Sequence, residues 1–150
     1  MAGSCIYKLG KGGFSPKNPF PWNHQMQCDC SGFVSWCLGV SRKTDNPWYA
    51  KFNGGWFETS AITRDALSQF GVFTEVARYD AEPGDVLVWG DKGGAQGHVG
   101  IVSGPTTIIH CSMGNFRKTP DAIREPDMAI FDANGAIAAR CAWIESLKEA

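Results

Sequence analysis

The stretch that most constrains the fold runs from Cys28 to Gly39. Its apolar residues recur at the spacing of an amphipathic helix and are Phe33, Val34, Cys37 and Leu38. Asp29 is a favourable N-cap and Gly39 a favourable stop, so the pattern predicts a helix over 30–38 with Cys30 in its first turn. Free N–H groups and the positive dipole end favour a thiolate there, which makes Cys30 a candidate nucleophile. The alternative is that Cys30 is simply a buried apolar residue, as most free cysteines are.

Composition excludes several functional classes. The 150 residues are 43% hydrophobic and 19% charged, which predicts one folded domain over 1–150 with a real core. A formal charge of −1 argues against a nucleic-acid partner. No apolar run is long enough to span a membrane, and residues 1–13 lack the apolar region of a signal peptide.

The six cysteines do not have the paired spacing of a metal site. We therefore expect no metal and mostly reduced, buried thiols. Cys37 lies two helical turns after Cys30 and is expected in the core.

The order of predicted elements indicates an α+β protein. An irregular segment rich in aromatic residues is predicted over 41–59, and it either forms the wall of a cleft or packs on the core. A second helix is predicted after it, from Thr59 or Ser60 to Phe70. The second half is predicted to be antiparallel sheet, with strands over 85–89, 98–103 and 107–111, a loop over 114–128, and a hairpin of 129–132 with 136–143 around Asn134-Gly135. Residues 145–150 are expected to form a frayed tail.

Two of the three histidines lie at matched positions on neighbouring predicted strands. A turn centred on Gly104 would place His98 directly opposite His110, with Cβ atoms roughly 5 Å apart. If the helix of Cys30 packs on the sheet face that carries both imidazoles, a nucleophile, a base and an orienting group come together. The alternative is a pair of partly buried histidines that hydrogen-bond the backbone.

Five segments in this order resemble the NlpC-type cell-wall cysteine peptidases, which are papain-like enzymes. They are Tyr7-Lys8-Leu9-Gly10-Lys11-Gly12-Gly13, DCSGFV at 29–34, PGDVLVW at 83–89, GHVGIVSG at 97–104 and IIHCS at 108–112. The resemblance implies N-terminal helices packed on an antiparallel sheet of five to six strands. It also implies Cys30 as nucleophile, His98 as base and His110 as the third polar residue of the catalytic set. Substrate contacts are implied for Tyr7, Asp29, Ser31 and Ser60.

The implied reaction is hydrolysis of an amide bond in a peptidoglycan stem peptide, between D-γ-glutamate and the diamino acid, without a cofactor. The alternatives are an N-acetylmuramoyl-L-alanine amidase that uses the same Cys-His pair, acyl transfer to another acceptor, and a non-catalytic cell-wall or phage-tail module. We expect a monomer that acts at the bacterial cell wall, either secreted, periplasmic or phage-delivered, with any immunity or delivery partner unknown. The segments 17–27 and 41–57 are longer than the family pattern and are expected to border the cleft.

Overall fold

The computed structural model describes residues 4–68 and 71–142. Its helices are α1 (Cys30–Cys37), α2 (Pro47–Asn53), α3 (Thr59–Ser68), α4 (Met113–Lys118) and α5 (Ala129–Ala133). Its strands are β1 (Ile6–Tyr7), β2 (Gln27–Cys28), β3 (Phe73–Val76), β4 (Val86–Trp89), β5 (His98–Val102), β6 (Ile108–Cys111), β7 (Ile123–Arg124) and β8 (Ile137–Cys141). The predicted α+β architecture, with N-terminal helices packed on an antiparallel sheet of five to six strands, is confirmed.

The first helix begins where the sequence predicts. Asp29 is extended and its carboxylate accepts the N–H of Gly32, which is the bond expected of an N-cap residue. The helix ends at Cys37, and Gly39 follows with φ of 73°. A glycine is favoured at this position because a side chain rarely tolerates positive φ.

The aromatic segment 41–59 is not wholly irregular, because it contains α2. Asn46 caps this helix by accepting the N–H groups of Trp48 and Tyr49, Pro47 occupies its first turn, and Gly54 ends it in the left-handed region. The helix signals Asn46, Pro47 and Gly54 are present in the sequence, so the prediction of an irregular segment is wrong over Pro47–Asn53.

The cap of α3 also differs from the prediction. Both oxygens of the Glu58 carboxylate accept backbone N–H groups, from Ser60 and Ala61, so Glu58 holds the helix start instead of Thr59 or Ser60.

The main sheet has six strands in the order β3-β8-β4-β5-β6-β7, and a separate parallel pair joins β1 to β2. The predicted C-terminal hairpin is wrong. Residues Ala129–Ala133 form α5, Asn134-Gly135 ends that helix, and β8 pairs with β3 and β4. Gly135 has φ of 68°, so the glycine that suggested a hairpin turn serves as a helix stop. The predicted loop 114–128 likewise holds most of α4 and all of β7.

The observed register between β5 and β6 differs from the predicted register, because the numbers of paired residues sum to 210 and not to 208. Ile101 pairs with Ile109 and Val102 with Ile108, so paired numbers sum to 210 and His110 lies opposite Gly100. The two histidines are therefore diagonal neighbours on one face. A Cβ at position 100 would lie 3.0 Å from the Cβ of His110, so the glycine leaves the space over which the imidazole extends.

Each face of the sheet carries its own apolar cluster. The larger cluster contains Cys30, Val34 and Val99 and lies under α1 and α3. The smaller one contains Leu87, Val102, Ile108 and Phe131 and lies under α5.

Three predictions fall partly outside the described residues: the end of the second helix at Phe70, the end of the hairpin at Trp143, and the tail 145–150. Among the residues that are described, no helix has the length and apolar character needed to cross a membrane.

Candidate active site

A cleft of about 230 Å³ opens at the start of α1. The residues that line it are Tyr7, Leu9, Gly10, Asp29, Cys30, Ser31, Arg42, Trp56, Glu58, Thr59, Asp91, Gln96 and Gly97. They come from the β1–β2 segment, from α1, from the aromatic segment and from the connection before β5. Trp56 lines the cleft, whereas Tyr49 and Phe57 are fully buried, so the aromatic segment both walls the cleft and packs on the core.

Cys30 lies at the inner end of this cleft, with only 5% of its surface exposed. Burial and the adjacent Asp29 carboxylate raise the pKa of the Cys30 thiol to about 12. Hydrogen bonds from the backbone of Val99 and Ser31, together with the charge of Arg42, act in the opposite direction. The expectation that the helix start would favour a thiolate is therefore wrong for the resting protein, because burial and a neighbouring anion outweigh the helix terminus.

The two histidines are joined directly. His98 Nε2 lies 2.6 Å from His110 Nδ1, and the rings meet edge to face. Trp89 packs on His98, and Phe131 packs on both imidazoles with centroids 5.2–5.3 Å away. Burial and the neighbouring His110 lower the pKa of His98 to about 3, and burial lowers that of His110 to about 4. Both rings are therefore neutral at neutral pH.

One atom of this pair lacks a polar partner within the described chain, namely the buried His110 Nε2. The His110 ring is nearly perpendicular to Phe131, at 88°, which is the geometry of an edge directed at a ring face.

The structure does not place α1 on the sheet face that carries the histidines. Successive residues of a strand point to opposite faces, so Val99 packs beneath α1 with Cys30 while His98 packs towards Phe131. No hydrogen bond joins Cys30 to His98 among the described residues. Cys30 instead lies in the same apolar cluster as Val99, whose backbone nitrogen is three bonds from the Cβ of His98.

Sequence reasoning did not identify Arg42, a buried cation beside the cysteine. Its Nη1 and Nη2 donate to the two Asp29 oxygens at 2.6 and 2.8 Å, and it is 2% exposed. The same carboxylate accepts the N–H groups of Gly10 and Gly32. The only signal in the sequence is a lone arginine in the aromatic segment, which does not reveal its partner.

The four residues predicted to contact substrate lie in different surroundings. Tyr7 and Ser31 line the cleft, and neither hydroxyl has a hydrogen-bond partner in the described part of the chain. Asp29 also borders the cleft, but both its oxygens are engaged within the protein. Ser60 lines a separate depression with Trp48, Phe52 and Arg64, and its hydroxyl accepts the N–H of Asp91.

Each of the six cysteines is reduced, and five of them are buried. Cys37, the last residue of α1, is exposed, so its predicted core position is wrong. Cys5, Cys28 and Cys111 are buried in one cluster, and their thiols donate to the carbonyls of Ile6, Asp29 and Cys28 respectively. No group of three His, Cys, Asp or Glu residues within 4–68 and 71–142 is arranged to hold a metal ion.

Comparison with known proteins finds a similar segment in a phage lysin. Over 65 residues it is 35% identical to the lysin of Pneumococcus phage Dp-1, a match that covers 40% of this chain and 22% of the lysin. The chain thus spans about a fifth of that relative.

Two solved structures are similar. One is an NLP/P60-family lipoprotein-like protein from Staphylococcus aureus subsp. aureus Mu50, with 18% identity, a TM-score of 0.49, and coverage of 89% of this chain and 38% of that one. The other is the NlpC/p60 domain of the peptidoglycan hydrolase SagA, with 21% identity, a TM-score of 0.41, and coverage of 86% and 87%. A family model described as bacteriophage peptidoglycan hydrolase matches residues 27–140. The chain therefore belongs to this family, Amidase_5, the bacteriophage peptidoglycan hydrolase family.

Proposed function

We propose that the protein is a cysteine-dependent hydrolase that cleaves an amide bond in the stem peptides of peptidoglycan. Cys30 is the nucleophile, His98 the base, and His110 the residue that orients His98. The observation that carries this assignment is the junction at Val99. Val99 lies in the same apolar cluster as Cys30, its backbone lowers the pKa of the Cys30 thiol, and the residue before it is an imidazole bonded to a second imidazole.

The protonation states support a concerted role for the base. A neutral thiol beside a neutral imidazole requires the proton to leave the sulfur as the bond to the substrate forms. His98 Nε2 is engaged with His110, which leaves Nδ1 to receive that proton. Nδ1 is the ring nitrogen nearer the main chain. Catalytic hydrogen bonds are often long before substrate binds, so Cys30 and His98 need not be bonded in the free protein.

The thiolate sulfur attacks the scissile carbonyl carbon, and the carbonyl oxygen becomes an oxyanion. The backbone N–H of Cys30 has no acceptor in the described part of the chain and can donate to this oxygen. Losing such a donor typically lowers kcat about a hundred- to a thousandfold. His98 then protonates the leaving amine, and water, deprotonated by His98, releases the acyl group from the sulfur.

Two hydroxyls are available to the substrate. Tyr7 and Ser31 border the cleft without internal partners, so they can hydrogen-bond the stem peptide on either side of Cys30. Glu58 and Asp91 give the rim acidic character, although each also accepts backbone N–H groups. Asp29 and Ser60 act on substrate only indirectly in this scheme, because their polar atoms are engaged within the protein.

The test of the cysteine chemistry uses two cysteine variants and purified sacculi. Cys30→Ala is expected to abolish digestion, whereas Cys37→Ser, at the exposed cysteine of the same helix, is expected to retain it. Thermal unfolding of both variants shows whether the fold is intact. Digestion by a folded Cys30→Ala protein at the parent rate would refute the scheme.

The bond that is cut requires a separate measurement. The resemblance to NlpC-type enzymes favours the D-γ-glutamyl bond to the diamino acid, and the name of the matching family, Amidase_5, favours the N-acetylmuramoyl-L-alanine bond. Mass spectrometry of products from defined muropeptides distinguishes the two. Stem peptides released with an N-terminal L-alanine identify an amidase, whereas a cut after D-glutamate identifies an endopeptidase.

A further inference from the structure

Arg42 is a fully buried cation that takes no part in the proposed bond-making steps. Its Nε donates to the carbonyl of Phe57 at 3.1 Å, and Nη1 also approaches the carbonyl of Lys11 at 3.3 Å. The guanidinium carbon lies 4.5 Å from the centre of the Trp56 ring. Arginine is suited to this position because its planar group can bond a carboxylate with two parallel hydrogen bonds.

The carboxylate it holds belongs to the residue directly before the nucleophile. Asp29 caps α1 through Gly32 at 2.9 Å and binds the loop at Gly10 at 2.8 Å. Gly32 is packed so closely that a Cβ there would lie 2.9 Å from Arg42 Nη1. The ion pair therefore joins the loop at Gly10, the helix start and the segment at Phe57 around Cys30.

Asp29 has two opposing effects on catalysis. As a cap it fixes the helix start that presents the sulfur, yet its negative charge disfavours a second negative charge on that sulfur. The guanidinium opposes this penalty at a site where burial makes charges interact strongly. Asp29 indeed raises the pKa of Cys30, and Arg42 lowers it.

We propose that Arg42 is a positioning residue for the nucleophile, which holds Asp29 as the helix cap and neutralises its charge at the Cys30 sulfur. The link to catalysis rests on the proposed function, whereas the effect on the thiol does not. The other titratable groups around the sulfur are Tyr7 on β1, Cys28 on β2, Cys111 on β6, the His98–His110 pair beyond Val99, and the rim carboxylates of Glu58 and Asp91. None of them neutralises Asp29, since none is a cation at neutral pH.

The experiment measures the rate at which iodoacetamide alkylates Cys30 between pH 6 and pH 10. The background is Cys37→Ser, because Cys37 is exposed and would otherwise react, and peptide mass spectrometry confirms the labelled residue. Arg42→Gln is expected to slow labelling at a fixed pH by about tenfold or more, since one pKa unit changes the thiolate fraction tenfold. Arg42→Lys is expected to stay within a few-fold of the parent because the charge is kept.

The decisive comparison removes both charges. Asp29→Asn combined with Arg42→Gln is expected to restore labelling to the parent rate or above, because asparagine can still cap the helix and the anion is gone. A purely structural role for Arg42 would make this double variant at least as slow as Arg42→Gln, and that result would overturn the proposal. So would an unchanged pH profile in Arg42→Gln.

A second comparison covers the case in which Arg42→Gln does not fold, since an unpaired buried carboxylate is strongly destabilising. Asp29→Asn alone leaves a cation beside the sulfur and is expected to label faster than the parent. Adding Arg42→Gln should then slow labelling again, and equal rates would contradict the proposal. These measurements need no peptidoglycan. A failure of this inference can therefore be distinguished from a failure of the proposed hydrolysis.

Discussion

Gly100 offers a direct test of how the two histidines are positioned. It lies opposite His110 in the register of β5 and β6, two positions along the strand from His98. A Cβ at this position would lie 2.9 Å from Cγ1 and Cδ1 of Ile108 and 3.0 Å from the Cβ of His110. Ordinary carbon contacts are about 3.5–4.0 Å, so Gly100→Ala requires β6 to move by roughly half an ångström or more.

Two opposing effects set the expected change in the free energy of unfolding for Gly100→Ala. Alanine restricts the unfolded chain and would gain about 0.4–1 kcal/mol where the backbone accepts it, and Gly100 is not among the glycines with positive φ. Overpacking a closed core costs about 1–3 kcal/mol, and Ile108 has no exposed surface through which to relax. We therefore expect a net loss of about 1–2 kcal/mol in the free energy of unfolding.

The same displacement moves His110 away from His98. A bond of 2.6 Å between the rings cannot lengthen by half an ångström without weakening, so we expect kcat on sacculi to fall about tenfold or more under conditions where the variant remains folded. Urea unfolding gives the stability, and turbidity loss of sacculi gives the rate. Gly114→Ala is the matched control, because its Cβ meets only the Ser112 hydroxyl oxygen at 3.8 Å.

Stability and kcat of the variant test the register of β5 and β6 and the contact between His110 and His98 separately. Unchanged stability together with unchanged kcat would show that the register of β5 and β6 is wrong. Reduced stability with parental kcat in the folded variant would show instead that the contact between His110 and His98 does not contribute to turnover.

Three further predictions concern pH, thiol reactivity and capping. The pKa values of His98 and His110 are lowered to about 3 and about 4, so the unfolded chain binds more protons below pH 6.5. The free energy of unfolding should therefore fall by up to about 1.4 kcal/mol per histidine per pH unit between pH 6.5 and 4, and His110→Asn should reduce this slope in pH-dependent urea unfolding. Native protein treated briefly with a bulky maleimide should be modified first at Cys37, the exposed cysteine, and rapid modification of the cluster Cys5, Cys28 and Cys111 would contradict its burial. Asn46→Ala should cost about 1 kcal/mol by urea unfolding, because the side chain accepts two N–H groups at the start of α2, whereas Asn18→Ala, at an exposed loop position, should be close to neutral.

Much of the local structure follows from the sequence because the relevant physics is local. Asp29 caps α1, Gly39 follows its end, and the strands at 86–89, 98–102 and 108–111 lie where their apolar residues predict. The misplaced hairpin shows the limit of this reasoning. Asn134-Gly135 can turn a hairpin or end a helix, since both need a positive φ, and only the pairing of β8 with β3 and β4 decides between them.

Some features of the candidate site can likewise be predicted from the sequence, whereas others depend on the tertiary structure. Residue type and spacing alone identify Cys30 at a helix start and two histidines on adjacent strands. The sequence could not show that Arg42 pairs with Asp29, that Gly100 rather than His98 faces His110, or that burial keeps the thiol protonated. Each of these depends on which groups meet across long separations in the chain and on how much water the packed core excludes. Register, desolvation and charge pairing are properties of the assembled fold, whereas helix caps, turns and apolar periodicity are already present in the chain.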